Sequence, residues 1–295
     1  MKLLPNIDPR LEQRLIQLYK DHCERAANID WSYHEFVPWE LGKCYKETPW
    51  SIEQRPLPPS IYTAIETALL TEVNLPWFTS YLSSTFVGSL DVMREFVHTW
   101  VAEEDQHSNL IETYLLLTRN ANPDELHKLR KTVVQGGFHT TFTTPIEAIC
   151  YASFQELATL VFYNNVAKVA TPYDPVLGSL LRRLSKDESL HYAFYRDAVQ
   201  AHLELEPNYV YYVARVLQGF FMPGNIMPDF EERMKVIAKE SIYGPQHYYK
   251  QVVMKLVEHW DIENLRPSDP EAEAARLDLL KYVDRLGRIA KRFEV

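Results

Sequence analysis

The chain has 295 residues, of which 46% are hydrophobic and 24% charged, and its formal net charge at pH 7 is −9. This negative charge argues against nucleic-acid binding, which requires a basic surface. The three cysteines show no close pair and no metal-binding spacing. No apolar stretch approaches the roughly 18 residues of a membrane span. The sequence therefore predicts a cytoplasmic protein without a signal peptide, a disulfide framework or a membrane-spanning segment.

Nine glycines and apolar residues spaced by three and four predict a mainly helical chain. In chain order, we expect an N-terminal helix and loops over residues 1–58, a four-helix bundle over 59–205, and additional packing helices over 206–295. All three segments are assigned to a single domain. Two basic clusters, at 182–186 and 288–292, are interpreted as solvated helix faces.

Each of the four predicted bundle helices places acidic or histidine side chains on its otherwise apolar face. The residues, in chain order, are Glu72, then Glu104 with His107, then Glu156, and finally Glu188 with His191. A further Glu-x-x-His unit, Glu95–His98, lies nine residues before the unit at 104–107. That offset is about 2.5 helical turns, so this additional unit is predicted to face solvent.

The six inward-facing residues form two copies of one pattern. A lone glutamate is followed 32 residues later by Glu-x-x-His, and the two copies are 84 residues apart. The midpoints of the copies are Gly88 and Pro172, both in turn-like sequence. If each copy is an antiparallel helix pair, all six side chains lie at one level, about 24 Å from the turns.

This pattern indicates a metal centre. Any one of the six could be an ordinary hydrogen-bonded polar residue, but burying an unpaired carboxylate costs several kcal/mol. Four such residues would consume the roughly 5–15 kcal/mol that stabilises a typical domain. One glutamate from each of two helices and Glu-x-x-His from the other two is the ligand set of ferritin-like di-iron and di-manganese proteins. We predict two iron ions, with manganese as a substitute.

Four motifs carry a family resemblance. "TEVNLPWF" (71–78), "TWVAEEDQH" (99–107), "SFQELAT" (153–159) and "LSKDESLHYAFY" (184–195) resemble segments of the soluble acyl-acyl-carrier-protein desaturases. The likeness extends from about residue 30 to the C-terminal helix. It implies that the six residues above ligate two irons in a ferritin-like bundle.

The resemblance also implies roles for three other residues. Thr159 matches a threonine implicated in proton delivery during oxygen activation. Trp31 matches a tryptophan on the electron route to the metals, and Asp187 is the intervening partner between Trp31 and the metals. Tyr163 is a departure, because the family has a histidine there. Trp77, Tyr81 and Ile149 are candidate walls of a substrate channel, although each is equally well explained as a core residue.

The function implied is O2-dependent insertion of a cis double bond into a fatty acyl chain held as a thioester on acyl carrier protein. A ferredoxin-type protein would supply electrons, and a homodimer is expected. Two alternatives stay open: another diiron oxygenase or oxidase acting on a different carrier-bound or small substrate, and a non-enzymatic iron-binding relative.

Overall fold

The structure, a computed structural model, describes residues 8–88, 91–240 and 242–293; residues 1–7, 89–90, 241 and 294–295 lie outside the described ranges. The long helices are α1 (Pro9–Ala27), α2 (Pro59–Glu72), α3 (Leu75–Thr85), α4 (Asp91–Leu117), α5 (Pro123–Gly136), α6 (Pro145–Ala170), α7 (Pro175–Leu205), α8 (Val210–Gly219), α9 (Phe230–Lys239) and α12 (Pro270–Ala290). Between α9 and α12, α10 (Pro245–His247) continues through a π-helical segment (Tyr248–Val253) into α11 (Met254–His259). No β-strand occurs in the described ranges, and the predicted all-α class is confirmed.

Helices α2, α4, α6 and α7 form the bundle. Helix α2 packs against α4 and α6, while α7 packs against α4 and, over its length, α6. Helix α1 covers one side against α4 and α7, and α8 and α12 extend the other side beyond α6. The predicted helical additions on both ends of the chain are thus present, whereas the assignment of residues 1–295 to one domain stays a prediction.

Local sequence explains where the bundle helices begin. Helix α6 starts at Pro145 behind a capping box in which Thr144 and Glu147 satisfy each other's backbone amides. Helix α7 starts at Pro175, and the carboxylate of Asp174 accepts from two amides of its first turn. Of these two starts, the one at Pro175 lies next to the turn that contains Pro172, the predicted reversal point.

The first helix pair differs from the prediction, because the stretch 61–78 is not one helix. Helix α2 ends at Glu72 and α3 begins at Leu75. The cause is Pro76, whose ring would clash with the carbonyl of Glu72 four residues earlier and which has no amide proton to donate. The predicted turn at Gly88 is present, with φ of 72°. Ser89 and Leu90, also expected in that turn, lie outside the described residues.

The apolar core consists of two clusters of buried side chains. One includes residues 92–100 of α4 and 194–203 of α7, and the other includes residues 110–115 of α4 and 177–184 of α7. On both helices the candidate ligands lie between these two stretches. The bundle therefore places the polar site between two apolar clusters.

Candidate metal centre

The structure brings the six predicted residues together in the bundle interior. We call them the ligand cluster: Glu72, Glu104, His107, Glu156, Glu188 and His191. Two groups of donor atoms within it, Glu72 with Glu104 and His107, and Glu104 with Glu156, Glu188 and His191, could each hold a metal ion. All are buried except Glu72, which is partly exposed. The additional unit Glu95–His98 is exposed, as predicted.

Glu104 lies between the two histidines. Its Oε2 is 3.0 Å from Nδ1 of His107, and its Oε1 is 2.8 Å from Nδ1 of His191. Oε1 of Glu188 is 3.2 Å from the same His107 atom. A carboxylate placed in this way offers one oxygen to each of two neighbouring ions, so Glu104 is suited to bridge them.

The far nitrogen of each histidine faces a second carboxylate. Nε2 of His191 lies 2.8 Å from Oε2 of Glu103, and Nε2 of His107 lies 3.4 Å from Oδ2 of Asp187. When Nε2 carries the proton and donates it to these acids, Nδ1 is left with a lone pair directed at the ligand-cluster carboxylates. Neither Nδ1 has a hydrogen-bond partner among the described residues. These unpartnered buried nitrogens fit metal binding, and carboxylate–histidine–metal arrangements are the usual way to orient such rings.

Electrostatics in the ligand cluster favour added positive charge. Burial and the nearby Glu104 raise the pKa of Glu72 to about 7, and they raise the pKa of Glu188 well above its usual value. Burial would lower the pKa of His107 and His191, yet Glu104 raises it well above the ordinary histidine value. Burial likewise opposes ionisation of Glu104, but the two histidines hold its pKa far below the usual range. With both imidazoles neutral, the charges of the four carboxylates would be balanced by two divalent cations.

Trp31 and Asp187, which the resemblance linked, are in contact. Nε1 of Trp31 donates to Oδ2 of Asp187 at 2.6 Å, the same oxygen that faces His107. Arg183 forms a buried ion pair with Asp187, and its guanidinium lies 5.1 Å from the centre of the Trp31 ring. The expectation that the basic cluster at 182–186 is a solvated face is therefore wrong for Arg183. It holds for its neighbour Arg182, which is exposed.

Thr159 lies on α6 at two cavities that also include Glu72. One cavity, of about 20 Å³, is bounded by Glu104, Glu188 and other residues, and the second, of about 70 Å³, is mostly apolar. The Thr159 hydroxyl donates to the carbonyl of Gln155 at 3.0 Å. Thr159 is thus placed beside the ligand cluster, and its proton role stays a prediction.

The apolar cavity has walls that the sequence did not indicate. They come from α2, α6, α9 and the loops on either side of α9: Thr67, Ala68, Thr71, Ala158, Phe162, Met222, Phe230, Met234 and Tyr243. The three proposed wall residues lie elsewhere. Trp77 is 46% exposed, Ile149 is fully buried in the core, and Tyr81 borders a separate surface cavity.

Sequence reasoning also missed the partners of His191. Glu103 accepts from His191 and lies 3.1 Å from Nε2 of His22 on α1. A signal was present, since Glu103 and Asp187 are themselves 84 residues apart and each precedes a ligand-cluster glutamate. The repeat therefore extends to the acids behind the histidines.

Comparison with known proteins assigns the class. Residues 4–295 match the model of a family described as fatty acid desaturase. A putative acyl-[acyl-carrier-protein] desaturase, DesA1 of Mycobacterium tuberculosis, is 31% identical over 100% of this chain and 88% of its own length. The chain belongs to this fatty acid desaturase family.

Two further relatives agree. A seed-specific chloroplastic stearoyl-[acyl-carrier-protein] 9-desaturase of Brassica napus is 24% identical over 99% of this chain and 76% of its own length. The X-ray structure of the putative acyl-ACP desaturase DesA2 of Mycobacterium tuberculosis H37Rv superposes with a TM-score of 0.70 at 21% identity, covering 90% of this chain and 98% of that one. This similarity confirms the ferritin-like helical fold. Within the described ranges, helices long and apolar enough to cross a membrane are absent.

Proposed function

We propose that this protein is a diiron desaturase that uses O2 to introduce a cis double bond into a fatty acyl chain carried as a thioester on acyl carrier protein. The observation that carries the proposal is the pair of donor groups sharing Glu104, placed next to an apolar cavity. The names of the relatives supply the carrier-protein thioester as substrate class.

Iron is the proposed metal because the carboxylate and imidazole donors of the ligand cluster suit it, and because desaturation is a redox reaction. When bound, the two ions would supply the redox chemistry that reduces dioxygen, with electrons from a ferredoxin-type donor. In balanced form, one CH2–CH2 unit, O2, two electrons and two protons give one CH=CH unit and two waters. The six side chains of the ligand cluster lie on helices. These rigid elements would keep the metal centre in a fixed position relative to the substrate.

The cavities define where the reactants would lie. Thr71, Glu72 and Thr159 border both the apolar cavity and the smaller one at the ligand cluster. The smaller volume, about 20 Å³, accommodates one water-sized molecule, for which about 10–15 Å³ suffices. We place dioxygen there and the reacting segment of the acyl chain in the apolar cavity, whose lining is mostly apolar.

Three residues outside the ligand cluster receive roles in this proposal. Oγ1 of Thr159, at the border of both cavities, would pass a proton to the reacting oxygen. Electrons would enter at half-buried Trp31 and reach His107 through Asp187, along the hydrogen bonds described above. Trp31 and Asp187 border a surface cavity of about 370 Å³. We propose a homodimer in the cytoplasm.

The test supplies the iron-loaded protein with reduced ferredoxin, O2 and acyl-carrier-protein thioesters of several chain lengths, and analyses the released fatty acids by mass spectrometry. Unsaturated product is expected from the unaltered protein and should be lost in Glu156→Ala and His107→Ala. Glu95→Ala is the matched control, because Glu95 is the exposed acid of the additional Glu-x-x-His unit. Protein that binds two irons but yields no unsaturated product from any thioester would favour another diiron oxygenase or an iron-binding relative.

A further inference from the structure

The acids behind the two ligand-cluster histidines are held to different degrees. Asp187 has two partners besides its histidine, Trp31 and Arg183, and its side chain is 7% exposed. Within the described part of the chain, Glu103 has one such partner, His22, and its side chain is 24% exposed. Both acids border the surface cavity of about 370 Å³. Glu103 is therefore the acid that water in this cavity can more readily draw away from its histidine.

His22 is a rigidly packed donor to Glu103. Its Nε2 lies 3.1 Å from Oε2 of Glu103, the same oxygen that lies 2.8 Å from Nε2 of His191. The His22 ring is 4% exposed and packs edge-on against Phe96 and Phe194, with ring centres 5.0 and 6.1 Å apart. Its Nδ1 is buried without a hydrogen-bond partner among the described residues, and an unpaired N–H there would be costly. The proton of the neutral ring therefore belongs on Nε2, which donates it to the carboxylate.

We propose that His22 is a positioning residue that keeps the Glu103 carboxylate turned toward His191, and so keeps Nδ1 of His191 free to bind a metal ion. The inference rests on the diiron centre proposed above. Without the His22 donor, Glu103 would keep one hydrogen bond to the protein, and water in the cavity it borders would compete for the carboxylate. The His191 ring could then carry its proton on either nitrogen, and only one of these two forms offers Nδ1 to the metal.

The first measurement is proton NMR of the protein loaded with Co²⁺ in place of iron, without acyl substrate. Co²⁺ is paramagnetic and shifts the ring protons of bound histidines far outside the usual spectral range. In H2O we expect two such exchangeable resonances, from Nε2–H of His107 and of His191, and Glu103→Ala identifies the second by removing its acceptor. In His22→Phe, which keeps an aromatic ring, the His191 resonance should be lost through exchange with water while the His107 resonance stays.

The second measurement is the affinity for Co²⁺ by equilibrium dialysis. His22→Phe should weaken binding about 10-fold. It should have no further effect when Glu103→Ala is already present, because His22 acts through Glu103. His22→Gln keeps an N–H donor and should retain both the affinity and the His191 resonance. The matched control is His202→Phe, because His202 is also buried but donates to the carbonyl of Ala198, and both readouts should be unchanged in it.

The outcomes separate this inference from the function. If His22→Phe keeps the His191 resonance, or weakens binding equally with and without the Glu103 carboxylate, the role of His22 is refuted while the diiron proposal stands. Equal losses in His22→Phe and His22→Gln would refute it too, because the packing of the ring rather than its donor would then be responsible. His22→Leu, a smaller side chain without a donor, should repeat the result of His22→Phe. Protein that binds neither Co²⁺ nor Fe²⁺ overturns both proposals, whereas a metal-loaded protein without desaturase activity leaves the role of His22 intact.

Discussion

Arg183 offers a direct test of how the acid behind His107 is held. Its guanidinium and the Asp187 carboxylate form an ion pair whose side chains are only 8% and 7% exposed. Removing one partner of a buried pair typically costs about 3–5 kcal/mol, because the remaining charge is left without compensation. Trp31 still donates to Asp187 after the change, so we expect Arg183→Leu to lower the free energy of unfolding by about 3 kcal/mol.

A double-mutant cycle isolates the ion pair from the loss of packing. Asp187→Asn removes the charge that Arg183→Leu leaves behind, so the double variant should be more stable than Arg183→Leu alone by about 1 kcal/mol or more. Urea unfolding of the metal-free protein, followed by circular dichroism, measures each step. Arg182→Leu is the control, since Arg182 is the exposed neighbour and should cost at most about 1 kcal/mol. Equal stabilities of Arg183→Leu and Arg182→Leu, with additive effects in the cycle, would refute the reasoning.

Three other predictions concern stability and metal binding. Burial lowers the pKa of His202 from 6.5 to about 4. Between pH 7 and pH 5 the unfolded chain therefore binds a proton at this histidine while the folded chain does not, so the free energy of unfolding should fall by about 2 kcal/mol as the pH is lowered. His202→Phe should remove that part of the slope in urea titrations, and an unchanged slope would contradict it. Glu103→Ala should weaken Fe²⁺ binding about 10–100-fold in equilibrium dialysis, while exposed Asp105→Ala should leave the affinity unchanged; equal affinities would exclude an orienting role. Gly178→Ala should lower the melting temperature although alanine favours helices, because its Cβ would lie 3.2 Å from Cα and 2.1 Å from Oγ1 of Thr171; a higher melting temperature would show that the turn can shift.

The position of the ligand cluster was predictable because helical periodicity fixes which side chains share a face. Once the turns are located, the matched spacings place the two Glu-x-x-His units and the two lone glutamates at the same height in the bundle. The turns at Gly88 and Pro172 are present. The break after Glu72 shortens α2, yet Glu72 still reaches the level of its partners.

Helical periodicity does not predict contacts between elements that are far apart in sequence. Arg183 resembles its solvated neighbours in sequence, and only the packing of Trp31 beside its guanidinium distinguishes it from them. His22 reaches Glu103 only because α1 docks against α4 and α7. Tyr163 was visible as a departure from the family pattern, but its bond to Glu72 depends on the packing of α2 against α6.

The division of the core into two apolar clusters has a consequence for the lifetime of the protein in the cell. On α4 and α7, the acidic and histidine side chains of the ligand cluster interrupt the apolar core between the two clusters. Ions that bind only the folded chain raise its stability in proportion to the logarithm of their free concentration. With the proposed iron at this site, scarcity of iron would therefore lower the free energy of unfolding, and with it the amount of folded protein as well as its activity.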